Sequence, residues 1–442
     1  GNPSGGPATW WETTAVREAR KDGPDPQSRL WPHPDHRFDR GSKSGSESVS
    51  RLRYHLLMLK HIIFQKGFRP FFLLGGLCAV FLVPWWAFTY QEPLSGEPGL
   101  ESISWHSHEM IFGFTTAIIA GFLLTAVENW TSRPTARGPF LAGLVGLWVV
   151  GRFVGFGGAA AAIAGLADLL FIPTLTIALA IPLVLARSKR NYLLLAILPL
   201  LWICDLFLHL RTSGLLPQSY LRTDLVAVDL IVVVLVIITG RIVPLFTRNA
   251  LGDESIRPIP GLGIAAIVGT IIVCLIEVVA PGGYVMAVAA TIAGLLVLSR
   301  SIHWGAHKTL GKPILWVLHL GHIWIWLGLF LKAASAAGLP VQSSIATHAL
   351  TAGAIGTLTL GMMARVTLGH TGRALQVPPI LTVAFIAIST SAILRVFGPW
   401  LRADLTRTAL ITSATLWSLA FALYVIGNAR FLTTPRPDGK PG

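Results

Sequence analysis

The chain has 442 residues, of which 53% are hydrophobic and only 13% are charged, and its mean hydropathy is +0.63. Soluble domains carry about 25% charged residues. This composition therefore excludes an ordinary soluble enzyme and indicates a polytopic helical membrane protein. Its three cysteines, Cys78, Cys204 and Cys274, stand far apart in apolar stretches and exclude a disulfide framework. The net charge of +14 is explained by basic loops, without nucleic acid.

Residues 1–57 differ in composition from the rest of the chain. They are polar, rich in Pro, Gly and Ser, and contain no apolar run, which predicts a disordered extension. The first methionine is Met58, just before the first hydrophobic segment. We therefore expect the natural start at Met58, the upstream stretch to be an over-extended reading frame, and the membrane domain to comprise residues 58–442.

Twelve apolar runs follow, each about 20 residues long and so able to cross a hydrocarbon core of about 30 Å. The predicted fold is all-α. The expected spans are 70–90, 105–127, 139–158, 160–186, 191–211, 223–245, 259–279, 282–300, 313–334, 344–365, 378–397 and 407–427. No pair of segments matches well enough to predict an internal repeat.

The basic residues predict the orientation. With the N-terminus inside, the cytoplasmic loops and the C-terminal tail hold 16 Lys and Arg from Arg133 onward, and the outer loops and span ends hold seven. Positive residues accumulate on the cytoplasmic side. We therefore expect both termini in the cytoplasm, although Arg395, Arg402 and Arg407 do not follow the pattern.

The segment WHSHEM opens the second span with two histidines and a glutamate. On a helix His106, Glu109 and Met110 share a face, while His108 points about 200° away. The two histidines therefore cannot both reach one metal, and we expect one to be a ligand and the other to serve a second site, a haem propionate or a carbonyl. Glu109 is a candidate to orient an imidazole or to relay protons. A polar helix start is the alternative interpretation.

Further histidines lie within or at the ends of other spans. His209 ends the fifth span and His348 opens the tenth, both near the outer surface that also holds His106 and His108. His319 lies on the ninth span. Imidazole is the commonest nitrogen ligand of haem iron and copper. Their coincidence favours a haem, with or without copper, whereas any one of them alone fits a structural histidine.

Several motifs occur in the same order as in a known family. They are GFRPFF (67–72), WHSHEMIFGF (105–114), GFLLTAVENWTSRP (121–134), GRIVPLFTRNA (240–250), HLGHIWIWLGL (319–329) and HALTAGAIGTLTLGMMARVTLGHTGR (348–373). With them, residues 58–442 closely resemble the NnrS family of bacterial membrane proteins.

This resemblance implies a twelve-span protein of the bacterial inner membrane with haem and copper. It implies a role in the response to nitric oxide and in protection from nitrosative stress, often alongside denitrification. The haem is expected to be b-type and non-covalent, because the chain has no CxxCH. Nitric oxide is the expected ligand, and the electron donor is unknown. The resemblance leaves open whether nitric oxide is reduced, as in a nitric oxide reductase, or only bound.

The resemblance also carries a set of candidate site residues. Glu109 is the catalytic candidate, and the metal candidates are His106, His108, His209, His319 and His348. The same five histidines, with Arg241, His370 and Arg373, are the cofactor-binding candidates. His322 stands where the family usually has Tyr and ranks below His319. Two other classes of function remain as alternatives: a transporter or permease, and a membrane sensor or assembly partner of haem enzymes.

Overall fold

A computed structural model of the chain describes residues 62–89, 102–153, 158–217, 222–401 and 403–440. The extension at 1–57 lies outside the described residues, and its disorder stays a prediction. The described part contains α-helices, short 3-10 turns and two π-helical segments, with no strand. The all-α prediction is confirmed.

Twelve helices, numbered in chain order, make up the described part. Two of them, α2 and α10, each consist of an α-helical piece, a π-helical piece and a second α-helical piece. The bounds are α1 Phe68–Thr89, α2 Ser102–His108 with Glu109–Thr115 and Thr116–Thr131, α3 Gly138–Gly151, α4 Gly158–Leu185, α5 Tyr192–Thr212, α6 Thr223–Leu251, α7 Leu262–Val279, α8 Gly283–Arg300, α9 Pro313–Ala336, α10 Ser343–His348 with Ala349–Ile355 and Gly356–His370, α11 Pro379–Leu401 and α12 Thr406–Thr433.

Eleven of the described helices are long and apolar enough to cross a membrane, so the chain is a multi-pass membrane protein. The exception is α3, whose 14 residues rise about 21 Å, less than the core of about 30 Å. The predicted third span, 139–158, therefore ends at Gly151 instead of 158. The next residue, Arg152, turns its side chain into a buried cluster of charged residues, described below.

Three helices form the centre of the bundle. In the most apolar 18-residue stretch of each spanning helix, the buried share is 83% in α2, 78% in α6 and 83% in α10. It is 33–67% in the other eight spans. The outer helices pack in consecutive groups, α3 to α5, α7 to α9 and α11 with α12, and α12 also packs on α1. Arg69 of α1 strengthens that last contact by donating to the carbonyls of Leu432 (2.8 Å) and Thr434 (3.0 Å) at the end of α12. The central helices are therefore those able to hold a site away from lipid.

Contacts between helices show that successive helices alternate in direction at the candidate site. The beginning of α2 meets the residue that follows α3, the first half of α4 and the last part of α5. We call the end of the bundle where α2 and α10 begin the outer end. That this end faces away from the cytoplasm stays a prediction from the basic residues.

Candidate metal centre and cofactor cavity

The winding of α2 changes at His108. An α-helical piece ends there, and a seven-residue π-helix, Glu109–Thr115, follows before the α-helix resumes. Wide π turns are rare in proteins, and those that occur frequently lie at functional sites. His108 and Glu109 are both 1% exposed and point into the bundle between α2, α4 and α5. His106, two residues earlier, lines a separate cavity.

A hydrogen-bonded chain orients the His108 ring. Its Nδ1 lies 3.1 Å from Glu109 Oε1, and Arg152 Nη1 donates to Glu109 Oε2 over 2.8 Å. An ionised carboxylate can only accept, so His108 Nδ1 carries the proton of this contact. Its Nε2 then carries either a lone pair toward a metal or a second proton toward Asp168. Metal-ligating histidines commonly donate their other ring N–H to a carboxylate in this way.

Four ligand atoms converge beside this chain, from α2, α4 and α5. The Nε2 of His108 lies 2.8 Å from Asp168 Oδ2 and 3.4 Å from Asp205 Oδ1. The Nε2 of His209 lies 3.1 Å from Asp168 Oδ2 and 3.8 Å from Asp205 Oδ1. All four atoms lie within 4.8 Å of one another. Tetrahedral ligands at 2.0–2.1 Å from a metal are separated by about 3.3 Å, so the cluster has the dimensions of a metal site.

The net charge of the cluster also favours a metal site. Three carboxylates, those of Glu109, Asp168 and Asp205, are at most 2% exposed, and one guanidinium, that of Arg152, contacts the first two. Uncompensated charge is costly inside a membrane protein. A divalent cation, or one extra proton on each histidine, brings the sum to zero. Within the described residues, the buried Asp205 Oδ1 accepts no hydrogen bond, which leaves it available as a ligand.

Two glycines make room for the charged side chains. A Cβ at Gly113 would overlap Arg152 Nη1 and lie 2.9 Å from Glu109 Oε2. A Cβ at Gly151 would lie 2.7 Å from Asp168 Oδ1. The carbonyl of Gly113 also accepts a hydrogen bond from Trp148 Nε1 (2.9 Å). Only glycine at 113 and 151 allows α2, α3 and α4 to bring these groups together.

A larger cavity of about 430 Å³ lies beside the metal cluster at the outer end. Its walls come from α1, α2, α6, α10, α11 and α12, and its size is that of a cofactor site. Aromatic and aliphatic side chains form most of the surface. The charged, imidazole and indole groups of its lining include those of His106, Arg222, Asp224, His348, Arg395 and Trp417.

The two histidines of this cavity are held in different ways. His348 Nδ1 donates to the carbonyl of Ser344 (2.6 Å), and Arg395 Nη2 donates to His348 Nε2 (3.0 Å). Its Nε2 therefore carries a lone pair, the state in which imidazole binds a metal. The His106 ring stacks on Trp86, with centroids 3.9 Å apart and planes 19° apart. Like His108, His348 directly precedes a π-helix, Ala349–Ile355.

The four histidines expected at the outer surface thus divide into two pairs. His108 and His209 meet in the charged cluster, with ring centroids 5.2 Å apart. His106 and His348 line the cavity. The geometry separates the two histidines of α2, as their spacing on a helix predicts.

His319 lies apart from both pairs, near the opposite end of the bundle. It is the seventh residue of α9, and its Nε2 lies 2.9 Å from Thr247 Oγ1. His322 is 2% exposed, with Nδ1 3.2 Å from Thr239 Oγ1 and Nε2 3.3 Å from the carbonyl of Val297. Both rings are held by protein hydrogen bonds. Neither belongs to the metal cluster or the cavity.

The other cofactor-binding candidates also lie at that opposite end. Arg241 donates to Asn191 Oδ1 (2.6 Å), and Arg373 Nη1 donates to the carbonyl two residues before it (3.0 Å). The carbonyl of His370 accepts from Arg436 Nη1 (3.2 Å). His370 is the last residue of α10, 22 residues beyond the cavity histidine of that helix, or about 33 Å. These contacts join loops and helix ends.

Three members of the cluster were not among the sequence candidates for a metal site. In the sequence Asp168 and Asp205 are single carboxylates within apolar runs, and Arg152 is a single basic residue in another run, with no pattern that connects the three. One signal was available, because Asp205 and His209 are four residues apart on α5 and share a helix face. The meeting of α2, α3 and α4 has no such local signal.

Comparison with known proteins identifies the family. The family model for the NnrS protein matches residues 62–436, which is most of the chain, and the chain belongs to the NnrS family. A search among curated proteins gave no match.

Proposed function

We propose that this protein binds haem and copper in the bacterial inner membrane and acts in the nitric oxide response. It protects the cell from nitrosative stress and works alongside denitrification. The observation that carries this proposal is the convergence of His108, His209, Asp168 and Asp205 on one point in a membrane protein of the NnrS family. The cavity lined by His106 and His348 lies beside that point.

The cluster fits a copper ion by its donor atoms and its charge. Imidazole nitrogens suit copper, and two nitrogens with two carboxylate oxygens form a donor set that Cu²⁺ accepts. The residues that would hold it are His108, His209, Asp168 and Asp205. Glu109 would orient His108, since it accepts from Nδ1 and is fixed by Arg152.

The cavity fits a haem by its volume and its lining. The lone pair of His348 Nε2, which accepts from Arg395, would hold the haem iron once that guanidinium turns to a propionate, and His106 lies on the same cavity wall. Arg222 and Arg395 would supply the positive charge that haem propionates need, they outnumber the carboxylate of Asp224 on the same wall, and the remaining surface is largely apolar. The indole nitrogen of Trp417 is buried and makes no hydrogen bond within the described residues, so it is available to a polar edge of a ligand.

The chemistry assigned to the site is binding of nitric oxide, with reduction as a further step. A ferrous haem with an open position binds nitric oxide, and a copper ion nearby exchanges electrons. The protein supplies the rest: it excludes water from the metal cluster and holds the imidazoles. In this proposal Glu109 is the catalytic residue that handles protons beside the metal centre.

The proposal is tested by metal analysis and optical spectra of the detergent-purified protein, reduced and then exposed to nitric oxide without oxygen. We expect one copper and at least one haem per chain, and a Soret band that shifts when nitric oxide is added. A protein with neither cofactor would overturn the proposal. In that case the extra-proton state of the histidines would explain the cluster, and an uptake assay in proteoliposomes would test the transporter alternative.

A further inference from the structure

A second buried group of charges lies outside the metal cluster. Lys332 of α9 contacts Asp229 of α6, with Nζ 2.5 Å from Oδ2, and Glu277 of α7, with Nζ 2.9 Å from Oε2. The carboxylates are 3% and 5% exposed, and the lysine side chain is 15% exposed. Three different helices thus bring one cation and two carboxyl groups into contact within the membrane domain.

The charges of this group do not balance. One ammonium between two carboxylates leaves a net negative charge, and unpaired buried charge is costly in a membrane protein. Among the described residues that line the cavity at this group, Arg222 is the other cation, but it is exposed at the start of α6. The thiol of Cys274 on α7 is the other titratable neighbour, while the lining residues of α8 and α10 carry no charge. One proton shared by the two carboxyl groups makes the group neutral.

The group borders a cavity at the outer end of the bundle. Asp229, Glu277 and Lys332 line a cavity of about 170 Å³, large enough for several water molecules. This cavity and the larger one that holds His106 and His348 share five lining residues, Arg222, Leu225, Val228, Ser343 and Thr347. Hydroxyl groups of Ser343 and Thr347 lie on the common wall, where they can carry a chain of water molecules.

We propose that Asp229, Glu277 and Lys332 form a site that holds one exchangeable proton and exchanges it with water in the outer cavities. In the transfer, the O–H bond of a carboxylic acid breaks, water accepts the proton, and the resulting carboxylate stays paired with the ammonium. Water in the cavity later returns a proton to the same pair. Delivery of this proton to chemistry in the larger cavity rests on the proposed function, whereas the shared proton does not.

Infrared spectroscopy of the full-length protein in detergent tests the shared proton directly. A protonated carboxylic acid has a carbonyl stretch that a carboxylate lacks. We expect such a band at neutral pH in the wild type and its loss in both Asp229→Asn and Glu277→Gln, because each variant leaves one carboxylate matched to one lysine. Lys332→Met should instead increase the band about twofold, since two carboxyl groups without a cation both take protons. Glu254→Gln, in an exposed loop, is the control and should keep the wild-type band.

Each result has a definite meaning. Absence of the band in the wild type, or its loss in only one of the two carboxyl variants, would overturn the shared proton. Transfer into D₂O should shift the band within the mixing time, and a band that does not shift would overturn exchange with the outer cavities.

The delivery step has a separate readout. We expect the reduction potential of the haem to fall as pH rises, and this slope to become shallower in Asp229→Asn. An unchanged slope would overturn delivery and leave the proton site standing. Absence of haem would refute delivery together with the proposed function, while the infrared result would still decide the proton site.

Discussion

The helices α2 and α10 have the same order of α-, π- and α-helical pieces but contribute to two different sites. Each begins with a short α-helix that ends at a histidine, continues with a seven-residue π-helix and then resumes the α-helix. In each, glycine stands five and thirteen residues after that histidine, at Gly113 and Gly121 in α2 and at Gly353 and Gly361 in α10. Sequence comparison of whole segments does not show this similarity, because few other positions are shared.

The neighbours of the two helices make the sites different. The first glycine of α2 leaves room for Arg152, and that of α10 leaves room for the ring of Trp324, whose Cε3 lies 2.7 Å from the position of a Cβ. The histidine of α2 consequently lies among charged side chains with little space. The histidine of α10 borders an open, mostly apolar cavity. The same α–π–α arrangement thus places one histidine among charged groups and the other at an open cavity.

Removal of the guanidinium should break the α2 site most severely. In Arg152→Met, the buried carboxylates of Glu109 and Asp168 lose the guanidinium that contacts both of them. Breaking a buried ion pair costs about 3–5 kcal/mol, so the free energy of unfolding should fall by that amount. Denaturant unfolding in mixed micelles measures it. Arg152→Lys keeps the charge and should recover part of the loss, and a full wild-type stability of Arg152→Met would contradict the account of the cluster.

Glu109→Gln tests the orientation of His108 with a smaller perturbation. The amide keeps the size of the side chain but removes the charge that holds Arg152 and His108. Loss of such a supporting carboxylate lowers metal affinity about 10–100-fold. Competition with a copper chelator measures the affinity. Glu128→Gln, on the same helix but paired with Arg137 and Lys66, is the matched control. Equal affinities in the two variants would argue against a role for Glu109 at the metal.

Replacing the first glycine of α2 or of α10 by alanine should affect one site and leave the other intact. In Gly113→Ala the new Cβ displaces Arg152, and in Gly353→Ala it displaces Trp324. We expect the first variant to lose copper and the second to lose haem, each relative to the other cofactor. Gly146→Ala, which has open space around its Cβ, should keep both. Parallel loss of both cofactors in the two variants would mean that the sites are not independent.

The mildest change removes one hydrogen bond at the α10 site. Arg395→Gln removes the guanidinium that donates to His348 Nε2 over 3.0 Å and that would pair with a haem propionate once Nε2 holds the iron. A hydrogen bond contributes about 0.5–1.5 kcal/mol, so loss of the propionate contact should lower haem affinity by roughly threefold to tenfold, with copper content unchanged. Haem titration of the apoprotein gives the affinity. A change in copper content would contradict the separation of the sites.

The sequence predicted the membrane fold more completely than the sites. Runs of apolar residues and their breaks predict helices, because each run must satisfy its own backbone in lipid. The predicted end of the third span was wrong, because α3 ends at Gly151 and the next residue, Arg152, contacts the buried carboxylates. The different directions of the His106 and His108 side chains on one helix were also predictable, since they depend only on local helix geometry.

The partners of the histidines were not predictable to the same extent. Asp168 and His108 are 60 residues apart, and their contact depends on how α2 and α4 pack, which no local pattern encodes. His319 and His348 look equally suitable in the sequence. Their different surroundings follow only from the depth at which α9 and α10 place them.

The most direct test measures copper and haem in His108→Ala and His348→Ala, purified in parallel with the wild type. The account predicts that His108→Ala loses copper and retains haem, and that His348→Ala loses haem and retains copper. Loss of both cofactors from each correctly folded variant, or of neither, would contradict the assignment of two separate sites.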